Sequence, residues 1–89
     1  MKKIEFDIDL IKSINKIRSG NSPLYKKIKK QLSLFQQNPH HPSLQTHKLT
    51  GDLKDSWSIS IDRNHPMLYR EGKTFLFFLF GTHDEVYKK

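Results

Sequence analysis

The chain has 89 residues, room for one domain over 1–89 and no second one. At 35% hydrophobic and 11% aromatic it can build a compact core, which excludes a disordered chain. Sixteen Lys and Arg against nine Asp and Glu leave a net charge of +7, which favours a polyanionic partner: nucleic acid, an anionic membrane face or an acidic protein.

Lys2 to Asp7 alternates weakly and predicts a short first strand. Asp7 and Asp9 offer N-caps to a segment with Ile8, Ile11, Ile14 and Ile17 every three residues and Leu10 beside them, an isoleucine stripe ended by Gly20-Asn21. Ser22-Pro23 then predicts a second helix, with a hydroxyl cap followed by proline at the first helical position. Leu24, Ile28, Leu32 (with Gln31 beside it) and Phe35 form its apolar face, and Asn38-Pro39 stops it. Lys26, Lys27, Lys29 and Lys30 between them read either as an RNA-binding stripe or as the solvated side of an amphipathic helix. Two helices joined by so short a turn form an antiparallel hairpin.

Prolines then rule out helix over Asn38 to Pro42, and a loop is expected to run on to Gly51. Trp57, Ile59 and Ile61 alternate with Ser58, Ser60 and Asp62 as in a half-buried strand. Met67 to Arg70 and Thr74 to Phe80 predict two more, joined by Glu71-Gly72-Lys73 as a tight hairpin. Phe75 to Phe80 is apolar throughout, so that strand is expected to be central and covered on both faces. Gly81 breaks it, and Thr82 to Lys89 reads as a short tail. The expected fold is α+β in the order β-α-α-β-β-β, a two-helix hairpin packed on an antiparallel sheet.

Without cysteine there is no disulfide scaffold, thiolate zinc site or cysteine nucleophile. The five histidines show no metal-ligand spacing on a helix, so neither metal nor cofactor is expected; His40 and His41, between prolines, read as surface loop residues. Asp7 and Asp9 interrupt the basic start before any signal-like apolar run develops, and the longest apolar run falls far short of the about 20 residues of a membrane span. A soluble, cytoplasmic domain is expected.

Two stretches are more specific. His47-Lys48-Leu49-Thr50-Gly51-Asp52-Leu53-Lys54 ahead of the strands, and Gly81-Thr82-His83-Asp84-Glu85-Val86-Tyr87 after them, resemble the RelE/ParE superfamily of toxins from bacterial toxin–antitoxin modules, and within it the YafQ-like and RelE/StbE-type messenger-RNA interferases. The resemblance covers nearly the whole chain and implies a RelE-like fold. It also implies metal-independent cleavage of mRNA, in the ribosomal decoding site, by a toxin that a cognate antitoxin silences in a hetero-oligomer. In such a reaction the ribose 2′-OH loses a proton and attacks phosphorus while the leaving 5′-oxygen gains one, work that suits histidine. By resemblance His83 is the general acid or base and His47 its complement or a phosphate donor, while Tyr87 stacks on a base or positions the phosphate. Lys48, Lys54 and Arg63 are candidates to grip phosphates.

Three positions depart from the family pattern. Ser60 stands where YafQ-like proteins carry a strand histidine, Asn64-His65 where they carry Asp-Trp, and Pro66 where many RelE-type members place an arginine. Proline cannot supply that bidentate phosphate clamp, which leaves His65, Arg63 or Asn64 in the same loop as substitutes. The alternative reading is a weakened or non-nuclease member of the same fold, an antitoxin-bound co-repressor or a gyrase inhibitor.

Overall fold

The computed structural model describes residues 2–87; the last two residues of the expected tail, Lys88 and Lys89, lie outside them. Strand β1 (Ile4–Phe6) leads into helix α1 (Ile8–Gly20), whose first turn is capped by the Asp7 carboxylate accepting from the Asp9 N–H. The isoleucine stripe does not bury as one face. Each step of three residues turns about 300°, so Ile8 and Ile17 end on opposite sides of the helix. Leu10, Ile14 and Ile17 pack on the core, while Ile8 and Ile11 are 67% and 43% exposed.

Helix α2 (Ser22–Gln37) follows with a single residue between the two. Its cap is Asn21, not Ser22: the Asn21 side chain accepts from the Leu24 N–H, and Ser22 lies inside the helix. Ile28 and Phe35 bury as expected, and Gln31 buries with them at 8% exposure. Gln31 Nε2 donates to the Ser60 carbonyl (2.8 Å) and the Ser43 carbonyl (3.3 Å), which ties α2 to the sheet and to a 3₁₀ turn at Pro42–Leu44. Strand pairing slips between Ser60 and Asp62, at the point where this amide takes up the Ser60 carbonyl. Gln31→Ala should therefore lower stability by about 1–3 kcal/mol in urea unfolding, because it leaves two carbonyls short of a donor.

The expected loop to Gly51 contains more structure than its prolines suggest. The 3₁₀ turn buries Leu44 completely, and His47–Lys48 forms a two-residue strand, β2. Strands β3 (Trp57–Asp62), β4 (His65–Glu71) and β5 (Phe75–Phe80) complete a five-stranded sheet in the order β1-β5-β4-β3-β2. Its pairs are antiparallel except β1 with β5, two strands that are far apart in the chain and joined through the helical hairpin and the other three strands. Strand β5 is interior, as expected, but only one of its faces is closed. Phe75 and Phe77 bury beneath the helices, whereas Leu76, Phe78 and Leu79 are only half-buried, with the Arg70 guanidinium laid over the Phe78 ring at 4.3 Å.

The core is aromatic. Phe35 meets Tyr69, Phe75 and Phe77 edge-on at 5.0, 5.0 and 5.1 Å, and Trp57 stacks on Tyr69. Burial, and then the Glu71 charge, push the Tyr69 phenol up to about 12, so it has no part in proton transfer near neutral pH. Thr82 to Tyr87 is not a loose tail: His83–Tyr87 forms a helix, α3, that packs on the face of the sheet opposite α1 and α2 and buries Val86.

Candidate active site

Alternation along the strands sorts the side chains between the two faces. Ile59, Ile61, Met67 and Tyr69 point to the helices, and Ser58, Ser60, Pro66 and Leu68 to the other side, where α3 and β2 bound a cleft of about 520 Å³. His47, Arg63, His83 and Tyr87 line it together with Gln45, Ser60, Asp62 and Pro66. Four of the residues expected at the site, the first-named four, thus converge from three separate stretches of chain.

His83 is held at the start of α3 by a reciprocal cap. The Thr82 N–H donates to Glu85 Oε1 (2.8 Å), and the Glu85 N–H donates to the Thr82 hydroxyl (3.2 Å). The Thr82 backbone N–H, and after it the Thr82 hydroxyl, hold the Glu85 carboxyl below its ordinary range. Gly81 leaves room for this return: a Cβ there would stand 2.9 Å from Glu85 Oε1. The His83 N–H donates to the Asn64 carbonyl (2.8 Å), which ties α3 to the β3–β4 turn, and its ring lies 4.7 Å from that of Tyr87 one turn on. Thr82→Val, which keeps shape and removes the capping oxygen, should cost about 1 kcal/mol and lower Tm by about 4–8 °C. Gly81→Ala should lower Tm in the same sense by displacing the Glu85 carboxylate.

His47 is oriented from its own side of the cleft. Gln45 adopts φ 49°, a left-handed conformation that costs a non-glycine residue energy, and its carbonyl stands 3.2 Å from His47 Nδ1. A carbonyl only accepts, so the proton of the neutral ring sits on Nδ1 and the Nε2 lone pair is free to accept another.

The other expected residues sit apart from the cleft lining. His65 lies on the helical side of the sheet, in register with Met67 and Tyr69; its ring stacks on Phe80 at 5.6 Å, and its Nδ1 meets Asp62 Oδ1 at 2.8 Å. Burial works to raise the Asp62 carboxyl, but His65, the Asn64 N–H and Lys27 together outweigh it and leave the group lowered. Asn64 contributes its backbone carbonyl to His83, and Lys48 and Lys54 are exposed on β2 and after the 3₁₀ turn at Gly51–Leu53. Among the described residues no three His, Asp or Glu side chains are grouped to hold a metal ion, and no helix is long and apolar enough to cross a membrane.

Asp62 and Gln45 were not singled out by sequence. Asp62 carried a readable signal, an aspartate two residues before Asn64 at a strand end, whose carboxylate takes the Asn64 N–H at 2.9 Å. A left-handed glutamine carries none. The two departures Ser60 and Pro66 prove to be cross-strand partners, so together they form one uncharged patch on the cleft floor.

No family model matches the chain. The candidate toxin RelE4 of Methanocaldococcus jannaschii is 30% identical over 92 residues, spanning 100% of this chain and 94% of its own. A chain of the E. coli DinJ–YafQ complex superposes with a TM-score of 0.77 at 18% identity, over 98% of this chain and 99% of that one. The YoeB/ParE toxin from Agrobacterium tumefaciens gives 0.76 at 18% identity, over 91% and 98%. At that identity the solved structures attest to the shared fold, and the full-length sequence match supplies the kinship: the chain belongs to the RelE/ParE superfamily of toxins.

Proposed function

We propose that the protein is an endoribonuclease toxin that cuts messenger RNA without metal, on the ribosome in the cytoplasm, and is silenced by a cognate antitoxin. The observation that carries this is the convergence of His47, Arg63, His83 and Tyr87 on one cleft. In this reading the Nε2 of His47 takes the 2′-OH proton, the 2′-oxygen bonds to phosphorus, and the bond to the 5′-oxygen breaks as His83 supplies its proton. The products are a 2′,3′-cyclic phosphate and a 5′-hydroxyl, and DNA, lacking the 2′-OH, is inert. Arg63 neutralises the charge that builds on the phosphate, and Tyr87 offers a ring on which a neighbouring base can stack. A YoeB–YefM pair from Staphylococcus aureus forms a heterotetrameric toxin–antitoxin complex on the same fold, which supports a protein antitoxin here; the +7 charge suits an acidic one.

The uncharged Ser60–Pro66 patch favours a second reading, a weakened nuclease or a non-nuclease on the same fold, acting as co-repressor or gyrase inhibitor. Induced expression in a bacterial host, with growth and mRNA 5′ ends followed together, separates the two. Growth arrest with new 5′-hydroxyl ends is the expected result. Arrest with intact mRNA would move the target elsewhere, and well-folded protein that leaves growth unaffected would make it a binding module.

A further inference from the structure

Beside the cleft lies a second groove, of about 390 Å³, between α2 and the end of β3. Lys27, Lys30 and Arg63 stand along it. Gln45, Ser60, Asp62 and Arg63 line both spaces, so they form one trough running from the open face of the sheet to its helical side.

The charge in this trough is lopsided. Among the described residues Asp62 is the only acidic one lining either part, and it is already engaged by Lys27 (3.3 Å), His65 (2.8 Å) and the Asn64 N–H (2.9 Å). Lys30 and Arg63 have no carboxylate within ion-pair distance among the described residues. Lys27 and Lys30, both exposed, sit three residues apart on α2, which places their Cβ atoms about 5–6 Å apart on one side of the helix. Among the described residues Ile61 is the only apolar one lining the second groove and no aromatic ring does, so the groove offers a peptide little to bury and a base nothing to stack on. Cations without apolar or aromatic pockets suit a chain recognised by its phosphates alone.

We propose that the second groove holds the RNA strand flanking the bond that is cut, gripping its phosphates with Lys27, Lys30 and Arg63 irrespective of sequence. The proposal rests on the nuclease reading for what lies in the cleft, and it assigns the flanking contacts to α2. The cleft would then select the scissile position while the groove supplies affinity and its salt dependence.

The test measures binding without cleavage, in the His83→Ala background, using fluorescein-labelled oligouridylate of about 12 nucleotides beside a uridine trinucleotide, long enough for the cleft only. Replacing Lys27 and Lys30 by Ala should weaken binding of the longer strand about tenfold at ~0.1 M salt and reduce the slope of log K against log salt by about 1.4, two phosphates' worth for a single strand. The trinucleotide should bind as before. Lys27→Arg with Lys30→Arg should preserve the longer strand's binding, since it keeps both charges and the pairing to Asp62. Equal losses for both lengths, or an unchanged slope, would overturn the proposal. So would loss of antitoxin binding with RNA binding intact, which would assign the groove to the protein partner. Cleavage by the wild-type chain is assayed separately, on messenger RNA in translating ribosomes. Cleavage with an unchanged slope sinks the groove alone, whereas a length-dependent loss without cleavage upholds phosphate binding there and sinks the nuclease reading.

Discussion

Phe35→Ala should leave the domain largely unfolded at 37 °C. Phe35 is fully buried, and its ring meets three aromatic rings of the sheet, on β4 and both buried positions of β5. Truncating such a phenylalanine removes its transfer energy and leaves a cavity that rings fixed on strands cannot close, about 3–5 kcal/mol. Natural domains hold about 0.05–0.15 kcal/mol per residue, so a chain of this length holds about 4–13 kcal/mol and the loss takes a large share of it. At about 4–8 °C per kcal/mol, a melt followed by circular dichroism should fall by tens of degrees or lose its cooperative transition. Phe35→Leu, nearer in volume, should retain a cooperative melt. A Tm drop below about 5 °C for the alanine variant would mean that α2 is held mainly by Ile28 and Gln31.

How much of this was legible in the sequence varies with the range over which the signal acts. Helix α2, strand β3 and the β4–β5 hairpin announce themselves by local periodicity and turn residues. The isoleucines of α1 misled because a spacing of three imitates helical period over one turn and drifts away from it over three. Strand β2 is too short to show any period and exists because β3 offers it an edge. Helix α3 did carry a signature, Thr82-x-x-Glu85, but five residues give no room for an apolar face to confirm it. The side taken by His65 was also implicit: two-residue alternation puts it with Met67 and Tyr69, away from Pro66. The covering of β5 was not, because six apolar residues in a row look the same whether one face is packed or two. Meeting of residues 47 and 83 is a matter of tertiary structure, and only the family resemblance brought them together beforehand.

If the two histidines divide the proton transfers as proposed, each should be worth about 10²–10⁴ in rate, or about 3–5 kcal/mol of barrier. Both are exposed, so His47→Ala and His83→Ala should melt within a few degrees of wild type, and lost cleavage would then be chemical in origin. The two variants should differ in kind. A base must be unprotonated to act, so removing His47 should abolish the limb of the rate profile that rises with pH; removing the acid His83 should abolish the limb that falls. The leaving group offers a sharper division. Uridine 3′-(4-nitrophenyl phosphate) expels a stable phenolate that needs no proton, so His83→Ala should recover most of its activity on it while His47→Ala stays slow. Recovery of the His47 variant instead would exchange the roles, with His47 donating from Nε2 while its Nδ1–H stays on the Gln45 carbonyl. Recovery of neither would mean that both histidines serve the phosphate rather than its protons, with the base still to be sought among the other residues of the cleft.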